Sequence, residues 1–486
     1  KQNLLAVIIA CLITIIFFTY NVCIAFDSAH YLWLTSLLTR ADTVFSNWDV
    51  ARGPIFPLFI KICNKLFGKS INGLLIGMYL FYILMLVGCY YIYKDTIKNE
   101  KYCSKKIKAF FIIGFIILIL INPMIFGYYH SLLTEFIAIT VAVISCYISW
   151  KLIQINAKEN KKKYILETIF LAFLAMVMWL LKQPYVGTVI FPLITASIIS
   201  FIRNPKLYNF VQRTISILIC CIAIVVGVQI WNFVIKIGNV ETDNTRISSG
   251  FLASRIVGGI TEYSQEKGEE YYTIDGISNN DKIDENDKKM IIDILNKNSG
   301  YKTYKVMRDS KKEKYKIIYL KSDDITTGEA IKYWFDMFKE NPRQILEGYI
   351  SNYLATTSIY QIEFNEMQII IKKEFNWTNT EEIRKIGYKI YEYGEGNVFY
   401  LLETVSRYAE EYKSINKPIT IVNKIITSLI IPDTIIMKIS YLILPLLTIV
   451  SIISVFRTNG KYDKKYCEII DIITILFSFE SFVILI

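Results

Sequence analysis

The sequence predicts an all-α polytopic membrane protein with about nine transmembrane helices. Three observations support this fold class. Hydrophobic residues make up 53% of the 486-residue chain. Apolar runs of about 20 residues recur, and a helix of that length crosses the hydrocarbon core of a bilayer. The segments between these runs alternate between lysine-rich and lysine-poor, as the loops of a multi-pass protein do.

The apolar runs define the spans and their orientation. Lysine and arginine cluster after the second, fourth, sixth and eighth runs. Since cytoplasmic loops carry the excess of positive charge, we predict a plasma-membrane protein with a cytoplasmic N-terminus. Segment 54–67 is apolar but short and carries two lysines, so we predict an interfacial or re-entrant helix there. The predicted spans are 4–22, 71–93, 107–126, 131–153, 164–182, 185–202, 211–235, 435–456 and 468–486.

Three regions follow from these spans. Residues 1–235 form a transmembrane module with an outer loop at 23–70, and residues 435–486 form C-terminal transmembrane helices. Between them, 236–434 is predicted to be an extracytoplasmic, mostly helical segment. The net charge of +11 resides mainly in the short loops, and no recognised nucleic-acid motif accompanies it, so we expect membrane lipids rather than nucleic acid as partners.

Two acidic residues near span ends are candidates for chemistry. Asp27 follows the first apolar run, and Glu135 lies one turn into the predicted fourth span, also toward the outside. Placing a carboxylate at the centre of a membrane-spanning helix costs about 2.5–3.5 kcal/mol. Acidic residues near predicted spans are therefore candidates for a functional role. The simpler interpretation of each is a helix-end residue that reaches water.

Both histidines of the chain are predicted at the outer surface, His30 three residues after Asp27 and His130 five residues before Glu135. Residues Asp27, His30 and Tyr31 share one face of a helix. Carboxylates and imidazoles together are metal ligands, so Asp27, His30 and Glu135 could hold a divalent metal. The spacing matches no metal motif, and purely interfacial histidines are the alternative, so a cofactor requirement stays open.

Cations on the predicted outer face are candidates for binding a phosphate. Contact with lipid headgroups is the alternative role for each of them. Trp48 could stack on a sugar or belong to the interfacial aromatic belt. The candidate cations are Arg52, Lys182, Arg246 and Arg255.

Four short motifs resemble the GT-C superfamily of integral-membrane glycosyltransferases. Phe26-Asp27-x-x-x-Tyr31 and Ala51-Arg52-Gly53-Pro54-x-x-Pro57-Leu58 are similar to its first outer loop. Leu133-Thr134-Glu135 is similar to its second acidic site, and Lys182-Gln183-Pro184 to its basic-proline step. By pattern, the nearest groups are the protein O-mannosyltransferases and the lipid A aminoarabinose transferases. The likeness covers about the first 200 residues.

This resemblance implies transfer of a sugar from a polyprenyl-phosphate donor to an acceptor hydroxyl on a glycan, lipid or protein. Transfer would invert the anomeric carbon on the extracytoplasmic side, with Asp27 as general base and Glu135 in support. Many relatives carry a second acid beside the first, whereas Ser28 follows here, which leaves a metal requirement open. Arg52 and Lys182 would neutralise the leaving phosphate, and Arg246 and Arg255 are the further candidates for binding it. Predicted contacts to acceptor or sugar are His30, Tyr31, Trp48, Asp49 and His130.

Three other functions share parts of this pattern. A transporter or flippase for a lipid-linked glycan predicts polar residues at mid-membrane and inverted repeats. The span centres are instead nearly pure in isoleucine, leucine, valine and phenylalanine, and no repeat is visible. A glycan polymerase or ligase has the same topology and donor chemistry, and a non-catalytic membrane scaffold would use the outer segment to bind a partner.

Overall fold

A computed structural model of the chain gives the fold as two compact units, Lys1–Val240 with Met367–Ile486, and Glu241–Glu366. The first unit is a helix bundle. Some side chains within the helices, including that of Asp27, and those of the strands lie outside the description. The described residues are 11–15, 17–18, 26–39, 45–49, 52–98, 128–155, 160–205, 207–240, 279, 285, 289, 301–309, 312–320, 332, 335, 339, 435–459 and 464–485.

Most of the described chain is helical. Within it, five helices are long and apolar enough to cross a membrane, which confirms a helical membrane protein. Predicted span 107–126 lies outside the described residues, and residues 11–15 and 17–18 of the first are helical. The helices are α1 Phe26–Thr39, α2 Ile55–Phe67, α3 Ile71–Tyr93, α4 Glu135–Gln154, α5 Lys161–Leu181, α6 Gly187–Arg203, α7 Leu207–Ile237, α8 Ile435–Thr458 and α9 Lys464–Leu485.

Helix α2 corresponds to the short apolar segment that was predicted as interfacial or re-entrant. Its 13 residues span about 20 Å, less than the hydrocarbon core of about 30 Å. Phe56 and Ile60 are buried in the main core, whereas Ile62 and Leu66 on the other side are exposed. The helix ends at Phe67. The next residue, Gly68, has a φ of 84°, a conformation that favours glycine because it has no Cβ.

The start of α4 differs from the prediction. The apolar run predicted a span from residue 131, but the helix begins at Glu135, since residues 129–134 are turns, bends and one bridge residue. Tertiary hydrogen bonds stabilise these turns: the Ser28 hydroxyl donates to the Leu132 carbonyl at 2.8 Å, and the His130 ring lies 2.9 Å from the Phe17 carbonyl. Glu135 is therefore the first residue of its helix rather than a residue one turn inside.

Two ion-pair clusters mark one end of the bundle. Lys151, in the last turn of α4, lies 2.6 Å from Asp95, which follows α3. Arg203, the last residue of α6, donates three hydrogen bonds to Asp471 of α9 and a fourth to the Val455 carbonyl of α8. We name this end of the bundle the lysine-rich end. Its ion pairs link helix termini that lie beside the predicted cytoplasmic loops.

The second unit contains an antiparallel hairpin that the sequence analysis did not predict. Strand β1, Tyr301–Asp309, pairs with β2, Lys312–Leu320, and Lys305 lies opposite Lys316 in the register. The surrounding segment was predicted to be mostly helical, and residues 285, 289, 332, 335 and 339 are helical.

The Arg203–Asp471 pair gives a stability prediction. Arg203→Met leaves the Asp471 carboxylate, which is 6% exposed, without its charge partner. Removing one partner of a buried pair costs about 3–5 kcal/mol, so we expect a clearly lower melting temperature in detergent. Arg457→Met, an exposed arginine of α8, is the control. Equal melting temperatures for the two variants would contradict a structural role for the pair.

Candidate functional site

In the loop between α1 and α2, several hydrogen bonds and a ring contact fix the position of Arg52. The Trp48 indole donates to the Arg52 carbonyl at 3.0 Å, and the Arg52 amide donates to the Asp49 carbonyl at 3.0 Å, which closes a turn. The Arg52 guanidinium donates to the Tyr31 hydroxyl at 3.3 Å and lies over the Tyr31 ring, 5.5 Å from its centroid. Sequence-predicted residues Tyr31 and Arg52 are therefore brought into contact.

A carboxylate and an imidazole lie beside this arginine. The Asp49 carboxylate is 4.0 Å from Arg52 Nε and 2.9 Å from His30 Nε2, although the imidazole contact is not aligned as a hydrogen bond. The side chains of His30 and Asp49 are 23% and 32% exposed. The first cluster thus joins a cation, a carboxylate, a phenol and an imidazole at a partly solvated surface.

A second cluster forms around Glu135. The Lys182 ammonium lies 3.6 Å from its carboxylate and 5.3 Å from the centroid of the Tyr185 ring. The Tyr185 hydroxyl donates to Glu135 at 2.7 Å and lies 3.1 Å from the Thr134 hydroxyl. Glu135 and Lys182 are 26% and 33% exposed, so water still screens both charges.

Gly53 brings the two clusters together. A Cβ at Gly53 would lie 1.6 Å from the Leu180 carbonyl oxygen, so the loop touches the backbone of α5 two residues before Lys182. Only glycine permits an approach this close. The two cations therefore belong to one region at the end of the bundle opposite the lysine-rich end, a region that we name the paired-cation site.

Asp27 lies in the first turn of α1, next to this region. The neighbouring Ser28 hydrogen-bonds to Leu132, three residues before Glu135, so the backbone of Asp27 lies near the turn that leads into α4. The Asp27 side chain and the predicted phosphate ligands Arg246 and Arg255 lie outside the described part of the chain.

Two predicted contact residues are buried instead of facing a cleft. Trp48 is 3% exposed and packs edge-on against Trp231. His130 was predicted at the outer surface but is 4% exposed, with its ring 4.2 Å from that of Phe17. In this structure both side chains pack inside the bundle, and their contact with a sugar or acceptor stays a prediction.

The sequence analysis missed Tyr185 and Thr134 as members of the site. Both are adjacent to motifs that it used, since Tyr185 follows Lys182-Gln183-Pro184 and Thr134 precedes Glu135. A short 3₁₀ turn, Gln183–Val186, reverses the chain so that the Tyr185 ring lies against Lys182. Only that turn geometry, which spacing alone does not reveal, brings the phenol to the carboxylate.

The described residues contain no group of three or more histidine, cysteine or acidic side chains able to hold a metal ion. The predicted set of Asp27, His30 and Glu135 includes a side chain outside the description, so it stays a prediction. What the described arrangement offers is two cations, two carboxylates and two phenols. Such a surface can receive a phosphate and orient a hydroxyl without a metal ligand set.

No protein-family model, curated protein or solved structure matches this chain.

The close approach at Gly53 predicts that adding a single methyl group there lowers the stability of the protein. Gly53→Ala forces the loop away from Leu180, because the new methyl would overlap the carbonyl oxygen. We expect a loss of about 2–3 kcal/mol in stability, as for other overpacked sites, measured by thermal unfolding in detergent. The comparison variant is Gly68→Ala, where a Cβ meets nothing within 4 Å and only positive φ adds about 1 kcal/mol. A Gly53→Ala protein as stable as Gly68→Ala would contradict the contact.

Proposed function

We propose that this protein is a membrane glycosyltransferase that moves a sugar from a polyprenyl-phosphate donor to an acceptor hydroxyl. The observation that carries the proposal is the paired-cation site, where Arg52 and Lys182 each lie beside a carboxylate at one end of the bundle. That end lies away from the lysine-rich end, and the charge rule makes it the extracytoplasmic face.

The two cations suit a lipid-linked phosphate. Its polyprenyl tail stays in the bilayer, so the phosphate reaches the protein at the depth where the helices end. Arginine and lysine form charge-assisted hydrogen bonds to phosphate oxygens. During transfer the leaving phosphate gains negative charge, and fixed cations around it stabilise the transition state. Arg52 is oriented by Tyr31 and Lys182 by Tyr185 before any donor arrives.

The acid-base step requires a carboxylate near the acceptor oxygen. In this proposal Asp27 removes the proton of the acceptor hydroxyl from about 2.6–3.2 Å. The acceptor oxygen then bonds to the anomeric carbon while the bond from that carbon to the phosphate oxygen breaks. Its electron pair leaves with the polyprenyl phosphate, and the anomeric carbon inverts. Glu135, held by Tyr185, supports the acceptor or the orientation of the base.

The base assignment is tested with Asp27→Asn, which keeps the shape of the side chain and removes its basicity. We expect sugar transfer from a polyprenyl-phosphate donor to fall by about 10²–10⁴-fold, the usual contribution of a general base. The assay follows labelled sugar into acceptor with purified protein in vesicles.

Asp95→Asn, at the lysine-rich end, is the matched control, and its activity per folded molecule should equal that of the wild type. Undiminished transfer by Asp27→Asn would overturn the base assignment. A flippase or scaffold would form no glycosidic product even as the wild type, whereas a polymerase or ligase would elongate or join a glycan chain.

The cation assignment is tested with Arg52→Lys and Lys182→Met. Each removes hydrogen bonds to a charged oxygen, and such bonds are worth about 1.5–3 kcal/mol. We therefore expect kcat/KM for the phosphate-linked donor to fall by at least tenfold. The fall in kcat/KM for the acceptor should be smaller. Lys236→Met, at an exposed lysine in the last turn of α7, is the control. Losses confined to acceptor KM would contradict a phosphate role.

A further inference from the structure

A buried arginine at the lysine-rich end is not used by the proposed function. Arg213 of α7 is 3% exposed, and its guanidinium lies over the Tyr164 ring, 5.0 Å from the centroid. Its Nη2 makes one long contact, 3.5 Å, to the Ile155 carbonyl just past α4. Among the described atoms, Arg213 Nε and Nη1 are buried without a hydrogen-bond partner. A buried charge left in this state is costly unless something accepts from it.

An unpaired acceptor faces the same region. One carboxylate oxygen of Glu167, Oε2, is buried without a hydrogen-bond partner in the described structure, as is the amide nitrogen of Gln154. Glu167 lies three residues after Tyr164 on α5, so its side chain shares a helix face with the ring that Arg213 covers. The region therefore combines unsatisfied cationic donors with an unsatisfied anionic acceptor, between α4, α5 and α7.

The adjacent helix end favours an anion. Helix α5 begins with Lys161, Lys162 and Lys163, and the side chain of Asn160 does not cap its first turn. Cations at a helix N-terminus oppose the positive end of the helix dipole. A bound anion relieves both the lysine charges and the dipole, as phosphates do at other helix N-termini.

The surroundings are those of a lipid rather than of a free ion. Beside the polar groups, Leu166 of α5 and Val211 and Ile215 of α7 are exposed apolar side chains. The Tyr164 hydroxyl donates to the Gln212 carbonyl at 2.8 Å and so joins α5 to α7. Arg213 lies beside the end of α4 and the first turn of α5, where it contacts the Ile155 carbonyl and the Tyr164 ring, and the ends of membrane-spanning helices are where lipid headgroups are expected.

We propose that this region, the Arg213 site, binds the phosphodiester headgroup of a phospholipid whose headgroup carries a hydrogen-bond donor. The phosphate accepts from Arg213 Nε and Nη1, and the headgroup ammonium or hydroxyl donates to Glu167 Oε2. The lipid chains lie along the exposed apolar faces of α5 and α7. This site is separate from the paired-cation site and does not depend on the proposed transfer activity.

The test measures phospholipid binding to the delipidated full chain by native mass spectrometry. Phosphatidylethanolamine, phosphatidylglycerol and phosphatidylcholine are titrated separately, because choline lacks a hydrogen-bond donor. We expect one molecule of the first or second lipid to bind about tenfold more tightly than phosphatidylcholine. The tighter of the two identifies whether an ammonium or a hydroxyl meets Glu167.

Three variants make the test specific. Arg213→Lys keeps the charge but loses the guanidinium fork, and Glu167→Gln removes the anionic acceptor; we expect each to weaken the preferred lipid about tenfold. Arg457→Met, an exposed arginine of α8, should bind as the wild type does. Thermal unfolding checks that each variant is folded.

Equal binding of all three lipids, or binding unchanged in Arg213→Lys and Glu167→Gln, would overturn the proposal. The buried groups would then be satisfied by water or by the protein itself.

Discussion

The paired-cation site depends on the backbone contact between Gly53 and Leu180. The two segments that meet there are far apart in sequence, and each delivers one cation immediately beside the contact, Arg52 on one side and Lys182 on the other. A glycine allows the loop to touch the carbonyl oxygen of α5 directly. With any side chain at this position the two cations would separate, and the surface would become two unrelated ion pairs.

The two halves of the site repeat one arrangement. In each half a cation lies beside a carboxylate and over a tyrosine ring, with Asp49 and Tyr31 around Arg52 and Glu135 and Tyr185 around Lys182. The ring restricts the cation without neutralising it, and the carboxylate is an anion that a phosphate can displace. All four charged side chains are 25–33% exposed, so a ligand need not first open a closed core.

The charged groups of the bundle lie at two levels with different partners. At the lysine-rich end, Asp95 with Lys151 and Arg203 with Asp471 connect helix termini to one another. These pairs connect segments that are distant in sequence, so at this end the charged side chains hold the helices to one another. The paired-cation site instead joins a loop and a turn to single helix ends, an arrangement that leaves its charges accessible to water and to a ligand.

For the part of the chain that the structure describes, the sequence by itself determined the long apolar helices and their order. Bilayer thickness sets the length of an apolar run, so α3 matches the predicted span 71–93 residue for residue, and α2 appears where a run was too short to cross. It also singled out Arg52, Lys182, Glu135, His30 and Asp49, because charged or polar side chains beside apolar runs are few.

Tertiary structure alone decided which of these residues meet. Neither helical periodicity nor hydropathy reports on hydrogen bonds between segments a hundred residues apart, such as that from Ser28 to Leu132. For that reason the start of α4, the burial of His130 and Trp48, and the recruitment of Tyr185 escaped prediction. Side-chain partners in this protein follow from how loop backbones pack on helix ends, and that packing is a property of the folded chain rather than of any local pattern.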